Sequence, residues 1–574
     1  MRNGEIADAF EELASLYELD GAVVYRVVAY RNAAKAIREA GVSVAELARQ
    51  GRVTELAGVG KTIAEKIDAL LETGSIPSAE KLRARIPSGL IEITQIPGLG
   101  PKRVRQLHDA LGIESLDDLR RAAEDGSLGD VPGFGAKAQQ NVLDALAAGA
   151  DGKPKPRLIL SKALAIGEAL VDGLRPHATR VELAGSARRM ADSCKDLDIV
   201  AATDDPAALV AAFSALPEID AVSGPGTAGA KAITHSGLPV DLRIVPEATF
   251  GNLLQHFTGS GKHNEAMRTA AVKRGLHVSE YGIVDDGAGE TYACADEAEV
   301  YERLGLQWIE PELRENRGEL EAARAHELPQ LVELGDIRGD LHSHTIASDG
   351  RNTIAEMATT ARDHGYEYLA ITDHSASHGF GNDVQPDELR RQIERVRGLE
   401  VPGLTLLIGT ETNVLPDGSL DYDDELLGEL DWVVASVHTS FRMGEEDMTA
   451  RMVTAIEHPL VDAIGHPTGR MIGRREGYAV DLDRVIEAAA RSGTFLEINA
   501  NPNRRDLSDT YARAAAQAGV TLVIDSDAHG VDTLVENMRY GVATARRAWL
   551  TAEQVANTRP WPELDRLRKR SRPG

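Results

Sequence analysis

The chain has 574 residues, 43% of them hydrophobic, and a formal net charge of −27. That length exceeds one core and implies several domains. No run of eighteen apolar residues marks a membrane span, no apolar signal core opens the chain, and two cysteines, Cys194 and Cys294, supply neither a disulfide framework nor a thiolate zinc site. A soluble intracellular protein is expected. The acidic balance argues against a polyanionic partner on average, but phosphate contacts are local and are made by backbone N–H groups, cations and a few Lys or Arg.

The first 150 residues carry apolar residues at three- and four-residue spacing, as in Ala7–Tyr17, Tyr30–Glu39 and Ile63–Leu71, and few strand-like runs. An all-α region is predicted, divided into 1–85 and 86–150. One frame recurs in it three times: Leu56-Ala-Gly58-Val-Gly60, Ile96-Pro-Gly98-Leu-Gly100 and Val131-Pro-Gly133-Phe-Gly135, each leading into a helical pattern. Glycine allows a tight turn, and the helix start behind it offers free N–H groups at the positive end of a dipole. Lys102 and Arg103 add charge beside the second copy. One such turn is an ordinary interhelical connection; three in one frame resemble helix-hairpin-helix motifs, which hold DNA backbones. The run Leu56–Leu71 is similar to the small N-terminal domain of DNA polymerase beta, as are Tyr30 and Arg31. That resemblance makes Lys66 a candidate Schiff-base nucleophile, against a solvated helix lysine near Glu65.

Asp151–Arg157 reads as a linker. A mixed α/β region follows at 155–255. In Lys195-Asp-Leu-Asp-Ile-Val200, strand alternation puts Asp196 and Asp198 on one face, and Asp241 lies in a second strand-like run, Val240–Val245. Three carboxylates on neighbouring strands repel unless cations neutralise them, and they can hold two Mg²⁺ or Mn²⁺ ions. Gly185-Ser186-x-Arg188-Arg189, then Asp196-x-Asp198, then Asp241, then Phe257-Thr-Gly-Ser260 is a motif order that resembles the family X DNA polymerases. The resemblance implies a nucleotidyltransferase-like palm and, at 256–315, a thumb-like subdomain. It implies that Ser186 and Arg189 hold the triphosphate of a deoxynucleotide, that Phe257, Gly259 and Ser260 line its pocket, and that Asn264 and Arg268 touch the nascent base pair. It makes Asp196, Asp198 and Asp241 the catalytic metal ligands. The sequence departs from the family at His256, where Tyr is usual, and at Gly261, where a larger polar residue is common.

After a linker at 316–335, short apolar runs at 336–574 each end in a metal-type side chain: His342 and His344 with Asp349, His374, Glu411, His438, His466, and Asp527 with His529. Helical patterns such as Ile354–His364 and Leu482–Arg491 alternate with them. Strand–helix alternation implies a parallel sheet or barrel whose strand ends converge. Nine His and carboxylate ligands without cysteine suit two or three Mn²⁺, Zn²⁺ or Fe²⁺ ions and phosphoester hydrolysis. His364, His378 and His458 are not at strand ends and are expected to be ordinary surface or structural residues. The set resembles the polymerase and histidinol phosphatase (PHP) domain, a distorted β/α barrel with a trinuclear site, and all nine positions are intact. The basic tail Arg566–Arg572 is expected to be solvated.

The expected function is gap-filling DNA polymerisation in base excision repair joined to 3′-5′ exonuclease or 3′-end processing and abasic-site cleavage. Gapped or nicked DNA and deoxynucleoside triphosphates are the expected partners of a monomer, without membrane contact, in the cytoplasm at the nucleoid. A small-molecule phosphatase with a DNA-binding arm and a non-catalytic DNA-end scaffold are the alternatives.

Overall fold

The computed structural model describes residues 1–94, 96, 98–148, 157–379 and 382–571. The expected linker Asp151–Arg157, apart from Arg157, and Arg572 of the basic tail lie outside the described residues. Two compact units divide the chain: Met1–Leu158, Lys162–Leu183 and Lys195–Glu247 in the first, Ile159–Ser161, Ala184–Cys194 and Ala248–Gly574 in the second.

In the first unit the all-helical expectation holds. Helices Asn3–Leu19, Val24–Glu39 and Lys61–Thr73 close on Phe10, Leu13, Ile37, Ile63 and Ile67. A second core gathers Leu99, Val104, Leu107, Leu119 and Phe134 beneath helices Pro101–Leu111 and Leu116–Glu124. The mixed α/β region forms a five-stranded sheet from β1 (Arg180–Leu183), β2 (Leu197–Ala202), β3 (Ile219–Gly226), β4 (Gly229–Thr234) and β5 (Pro239–Val245), in spatial order β1-β2-β5-β4-β3. Only the central pair β2–β5 is parallel. Leu197, Ile199, Val240 and Leu242 bury one face of that pair, which leaves the intervening aspartates on the other.

In the second unit, helices Phe250–Thr258, Gly261–Val272 and Glu297–Arg303 pack with a three-stranded antiparallel sheet, β6 (Leu276–Ser279), β7 (Gly282–Asp285) and β8 (Glu290–Tyr292). The segment 316–335, expected as a linker, carries a helix and packs on both neighbours, with Val332 in the barrel core. Glu319–Ala325 is a helix; its Leu320 and Ala323, with Leu331 beyond, join the core of Met267, Ile283 and Tyr301. Glu319, fully buried, pairs with the fully buried His263 at 2.7 Å. Charge-rich composition made the segment look solvated, while its apolar residues at helical spacing bury it.

The last region is a barrel of seven parallel strands in sequential order: β9 (Gly339–Asp340), β10 (Tyr368–Ile371), β11 (Thr405–Asn413), β12 (Trp432–Ser436), β13 (Ala463–Ile464), β14 (Phe495–Asn499) and β15 (Leu522–Asp525). A Ser343–Ala528 bridge joins first strand to last. Tyr368, Leu407, Trp432, Val434, Phe495 and Val523 form one core cluster, and the partly buried Trp561 packs against it. The amphipathic helices Ile354–His364 and Leu482–Ser492 cover the outside. The basic tail is also corrected. Lys569 Nζ donates to the Ile456 carbonyl at 2.8 Å, and Arg570 pairs with Asp462. Asp462 is 2% exposed and also takes Arg568 at 3.5 Å. Among the described residues no helix is long and apolar enough to cross a membrane.

Candidate metal centres and nucleic-acid contacts

Each repeated glycine turn has one backbone form. Gly58, Gly98 and Gly133 take φ of +84°, +85° and +87°, the left-handed region that a side chain disfavours. Gly60 and Gly100 then N-cap helices Lys61–Thr73 and Pro101–Leu111. A Cβ added at Gly60, Gly100 or Gly135 would meet nothing within 4 Å, so the backbone at these helix starts is open to a bulky anion. Arg103 donates to the Gly98 carbonyl at 3.0 Å and lies 5.4 Å from the Phe134 ring, which ties the second turn to the third. Lys102 is exposed and Lys66 is half-buried within its helix.

On the sheet, Asp198 of β2 and Asp241 of β5 are register partners, side by side on one face. Asp196 stands one residue before β2. Arg243 lies 3.0 Å from Asp241. All three aspartates are partly exposed, so cations and a hydroxyl group can reach them.

In the second unit, Ser186 lies in the short helix Gly185–Arg188, and Arg189 Nη1 donates to the Thr258 carbonyl at 2.5 Å. Ser186 Oγ is buried without a hydrogen bond among the described residues. Gly259 has φ +68°, and a Cβ there would lie 3.3 Å from Arg189 Nη1. Ser260 caps helix Gly261–Val272 through the His263 N–H, and Phe257 precedes it at the end of helix Phe250–Thr258. Asn264 and Arg268 are already engaged: Asn264 donates to the His256 carbonyl at 2.8 Å and accepts from Gln255 at 2.9 Å, and Arg268 lies 3.2 Å from His256 Nδ1. His256, singled out as a departure, is therefore the contact that these two residues share.

The strand ends of the barrel bring all nine expected residues into one cluster. Three overlapping groups could each hold a cation: His344, Asp349, His374 and His529; His342, His344 and Asp527; and His374, Glu411 and His438. His466 joins through Glu411 at 2.9 Å. Glu411 has no exposed surface; it lies within β11 rather than at its end, ringed by His342 at 3.3 Å, His374 at 2.8 Å and His438 at 3.2 Å. Two of the nine residues, His466 (φ +28°) and Asp527 (φ +50°), sit in the left-handed region, a strain that surrounding structure must impose.

Burial pushes the Glu411 carboxyl up, but His438, His342 and His374 outweigh it and hold it well below the usual carboxylate range. Burial together with the charges of His529 and His374 lowers His344 to about 4, and burial with Arg504 lowers His466 to about 3. Neutral imidazoles are the form that ligates. Nε2 of His342, both ring nitrogens of His344 and His438, and both oxygens of Glu411 are buried without a hydrogen bond among the described residues. Buried polar atoms are ordinarily hydrogen-bonded, so lone pairs aimed at one another with no proton between them fit cations.

A supporting layer lies behind the nine residues, outside their sequence motifs. Glu497 of β14 accepts from His342 Nδ1 at 2.6 Å and from the His466 backbone at 2.5 Å. Asn499 donates to Glu497 at 3.1 Å and to Asp527 at 3.0 Å. Asp373 takes Thr345, Ser348 and Gln392 at 2.6–2.7 Å, which fixes the loop between His344 and Asp349. The signal for Glu497 was present as a lone carboxylate inside an apolar run, Phe495-Leu-Glu-Ile-Asn499. His378, expected at the surface or in a structural role, is 1% exposed and stacks on His374 at 4.2 Å. It is a buried neighbour of the cluster.

A sheet with paired aspartates, glycine-turn helix starts and a histidine-rich barrel mouth define a class: a metal-using nucleotidyltransferase joined to a metal-using phosphoesterase. Family models match in the same order: a helix-hairpin-helix domain at residues 1–76, a SAM-like helix-hairpin-helix tandem at 90–148, a DNA polymerase beta thumb at 253–315 and a PHP domain at 340–501. The DNA polymerase/3′-5′ exonuclease PolX of Bacillus subtilis is 38% identical over 577 residues, the whole of both chains. Probable phosphatases of Caldanaerobacter subterraneus (35% identical) and Acetivibrio thermocellus (32%) align with 33% of this chain and with 75% and 78% of their own. The chain belongs to the family X DNA polymerases that carry a PHP domain.

Proposed function

We propose that this enzyme fills short gaps in DNA during base excision repair and, at a second site, hydrolyses the 3′ end of the strand. Two separate constellations carry the reading: the Asp198–Asp241 pair on adjacent strands and the nine-residue cluster at the barrel mouth. The domain division that goes with this reading is 1–85, 86–150, 155–255, 256–315 and 336–574, with 316–335 connecting the last two.

Asp196, Asp198 and Asp241 would hold two Mg²⁺ or Mn²⁺ ions, and the nine barrel residues two or three Mn²⁺, Zn²⁺ or Fe²⁺ ions. Bound there, such cations acidify an attacking hydroxyl or water and neutralise charge on phosphate oxygens. The chain's own groups do the rest. The open glycine turns, with Lys102 and Arg103, take the DNA backbone without reading sequence. Ser186 and Arg189 donate to the triphosphate, Gly259 leaves Arg189 room, and Phe257 and Ser260 complete the pocket wall. Asn264 and Arg268 face the new base pair after release from His256. Lys66 is the lyase candidate, on the resemblance of its segment to the small domain of DNA polymerase beta. In the barrel, Glu497 and Asn499 orient His342 and Asp527, and low-lying His344 and His466 stay unprotonated at neutral pH.

The test is a one-nucleotide gapped duplex with a 5′-labelled primer, in Mn²⁺, with and without deoxynucleotides. Asp198→Ala is expected to abolish lengthening and keep shortening; His344→Ala is expected to do the reverse. Near-normal lengthening by Asp198→Ala would end the polymerase assignment. The phosphatase relatives favour a second reading, hydrolysis of small phosphomonoesters, which turnover of such esters much faster than DNA would support. It leaves the glycine turns and the aspartate pair without a use.

A further inference from the structure

Arg189, assigned to the triphosphate, is held from the barrel. Segment Ala184–Cys194 falls in one compact unit with the thumb and the barrel. Arg547 ends helix Met538–Arg547 and is 8% exposed. Its Nη1 donates to the Arg189 carbonyl at 2.7 Å and lies 3.1 Å from Glu315 Oε1. The same Glu315 oxygen takes Arg189 Nε at 3.1 Å, so one carboxylate joins two guanidinium groups. Asp509 holds the far edge of Arg547 at 3.0 Å.

A second arm steadies the next residues. Fully buried Arg505 donates Nη1 to the Met190 carbonyl at 2.9 Å and lies 3.2 Å from Asp192; Arg470 takes the other Asp192 oxygen at 2.9 Å. Met190 has φ +53°, a conformation that a side chain tolerates only where its surroundings over-determine it. The carbonyls of Arg189 and Met190 and the Asp192 carboxylate all accept from barrel arginines. A guanidinium presents rigid, fork-shaped donors, and charge-assisted bonds at low exposure are the strong ones.

We infer that Arg547, acting through Glu315, is a positioning residue of the polymerase reaction, so that the phosphoesterase barrel is a structural part of the nucleotide pocket. It sets where Arg189 presents its donors to a nucleoside triphosphate, and it touches neither substrate nor cation itself. The inference rests on the nucleotide-binding reading of Ser186 and Arg189.

The test uses the full chain. Full-length Arg547→Ala is expected to raise KM for the incoming deoxynucleotide about ten-fold, with a smaller change in kcat and 3′-end hydrolysis within about two-fold of the unaltered enzyme. Arg547→Lys, which keeps the charge and one donor line, is expected to recover most of that loss. Hydrogen exchange of backbone amides 185–192, measured without nucleotide, is expected to speed up in Arg547→Ala. An unchanged KM in a folded Arg547→Ala chain overturns the inference. If that variant does not fold, Glu315→Gln replaces it, with the same KM rise expected and the same overturning result. An unaltered enzyme that extends no primer removes the polymerase reading instead; exchange at 185–192 then decides the anchoring, faster in support, unchanged against.

Discussion

Two carboxylate-rich sites in one chain are built in opposite ways. On the sheet, Asp198 and Asp241 stand partly exposed on adjacent strands, and Arg243 is the cation beside Asp241. At the barrel mouth, Glu411 has no exposed surface and sits among histidines drawn from several strand ends. The open pair is placed by local strand register and keeps contact with solvent, which screens its charges. The closed cluster places charges where water cannot relieve them, so each member depends on the others and on cations.

The sharpest way to break this comparison is by activity against stability. Asp198→Ala is expected to lower primer extension at least about 1,000-fold while shifting unfolding free energy by no more than about 0.5 kcal/mol, because that side chain is partly exposed on the sheet face. Glu411→Ala is expected to lose hydrolysis and also to destabilise the chain by about 3 kcal/mol, because buried histidines lose their counter-charge. Equal unfolding midpoints for the two variants would show the barrel site to be as independent as the sheet site.

Cation removal tests the same contrast more gently. Chelation is expected to lower the Tm of the unaltered chain, and Mn²⁺ at about 1,000 times its Kd to restore about 4 kcal/mol. Glu411→Ala should give little of that response, and Asp198→Ala all of it. A Tm indifferent to chelator would show that no exchangeable ion stabilises the barrel site.

The smallest effect concerns how each carboxylate stays ionised. Glu411 is held by histidines, which titrate; Glu297 of the thumb is held by Arg314 and Arg188, which do not. Burial raises Glu297, but the arginines outweigh it and bring it down to about 2 from 4.5. Its folded value lies below its unfolded one, so its contribution is complete above pH 4.5 and is lost as pH falls toward 2. Glu297→Gln is therefore expected to flatten the acid dependence of stability between those limits, read by urea unfolding at stepped pH. An unchanged slope would mean the arginine pairs contribute nothing.

Local features were legible in the sequence for a local reason. Ile354–His364 was delimited to the residue because Thr353 and Glu356 form a capping box and Gly365 takes the left-handed turn. The glycine turns were readable because φ near +85° is a property of the residue itself. The nine cluster residues were found because strands in a barrel end on one face, which makes position along the chain a guide to position in space.

What the sequence determined alone is this: helices and strands by periodicity, the alternation that builds a barrel, and the side chains able to carry phosphoryl chemistry. Tertiary structure decided the rest. It packed the helix Glu319–Ala325 on the thumb by burying Glu319 against His263, and it drew the basic tail onto Asp462. It brought Glu497 under His342 across 155 residues of chain and set Arg547 on the Arg189 carbonyl across 358. Such pairings depend on which charged groups lose their water together. That is settled by distance in the folded chain, and no spacing along the sequence encodes it.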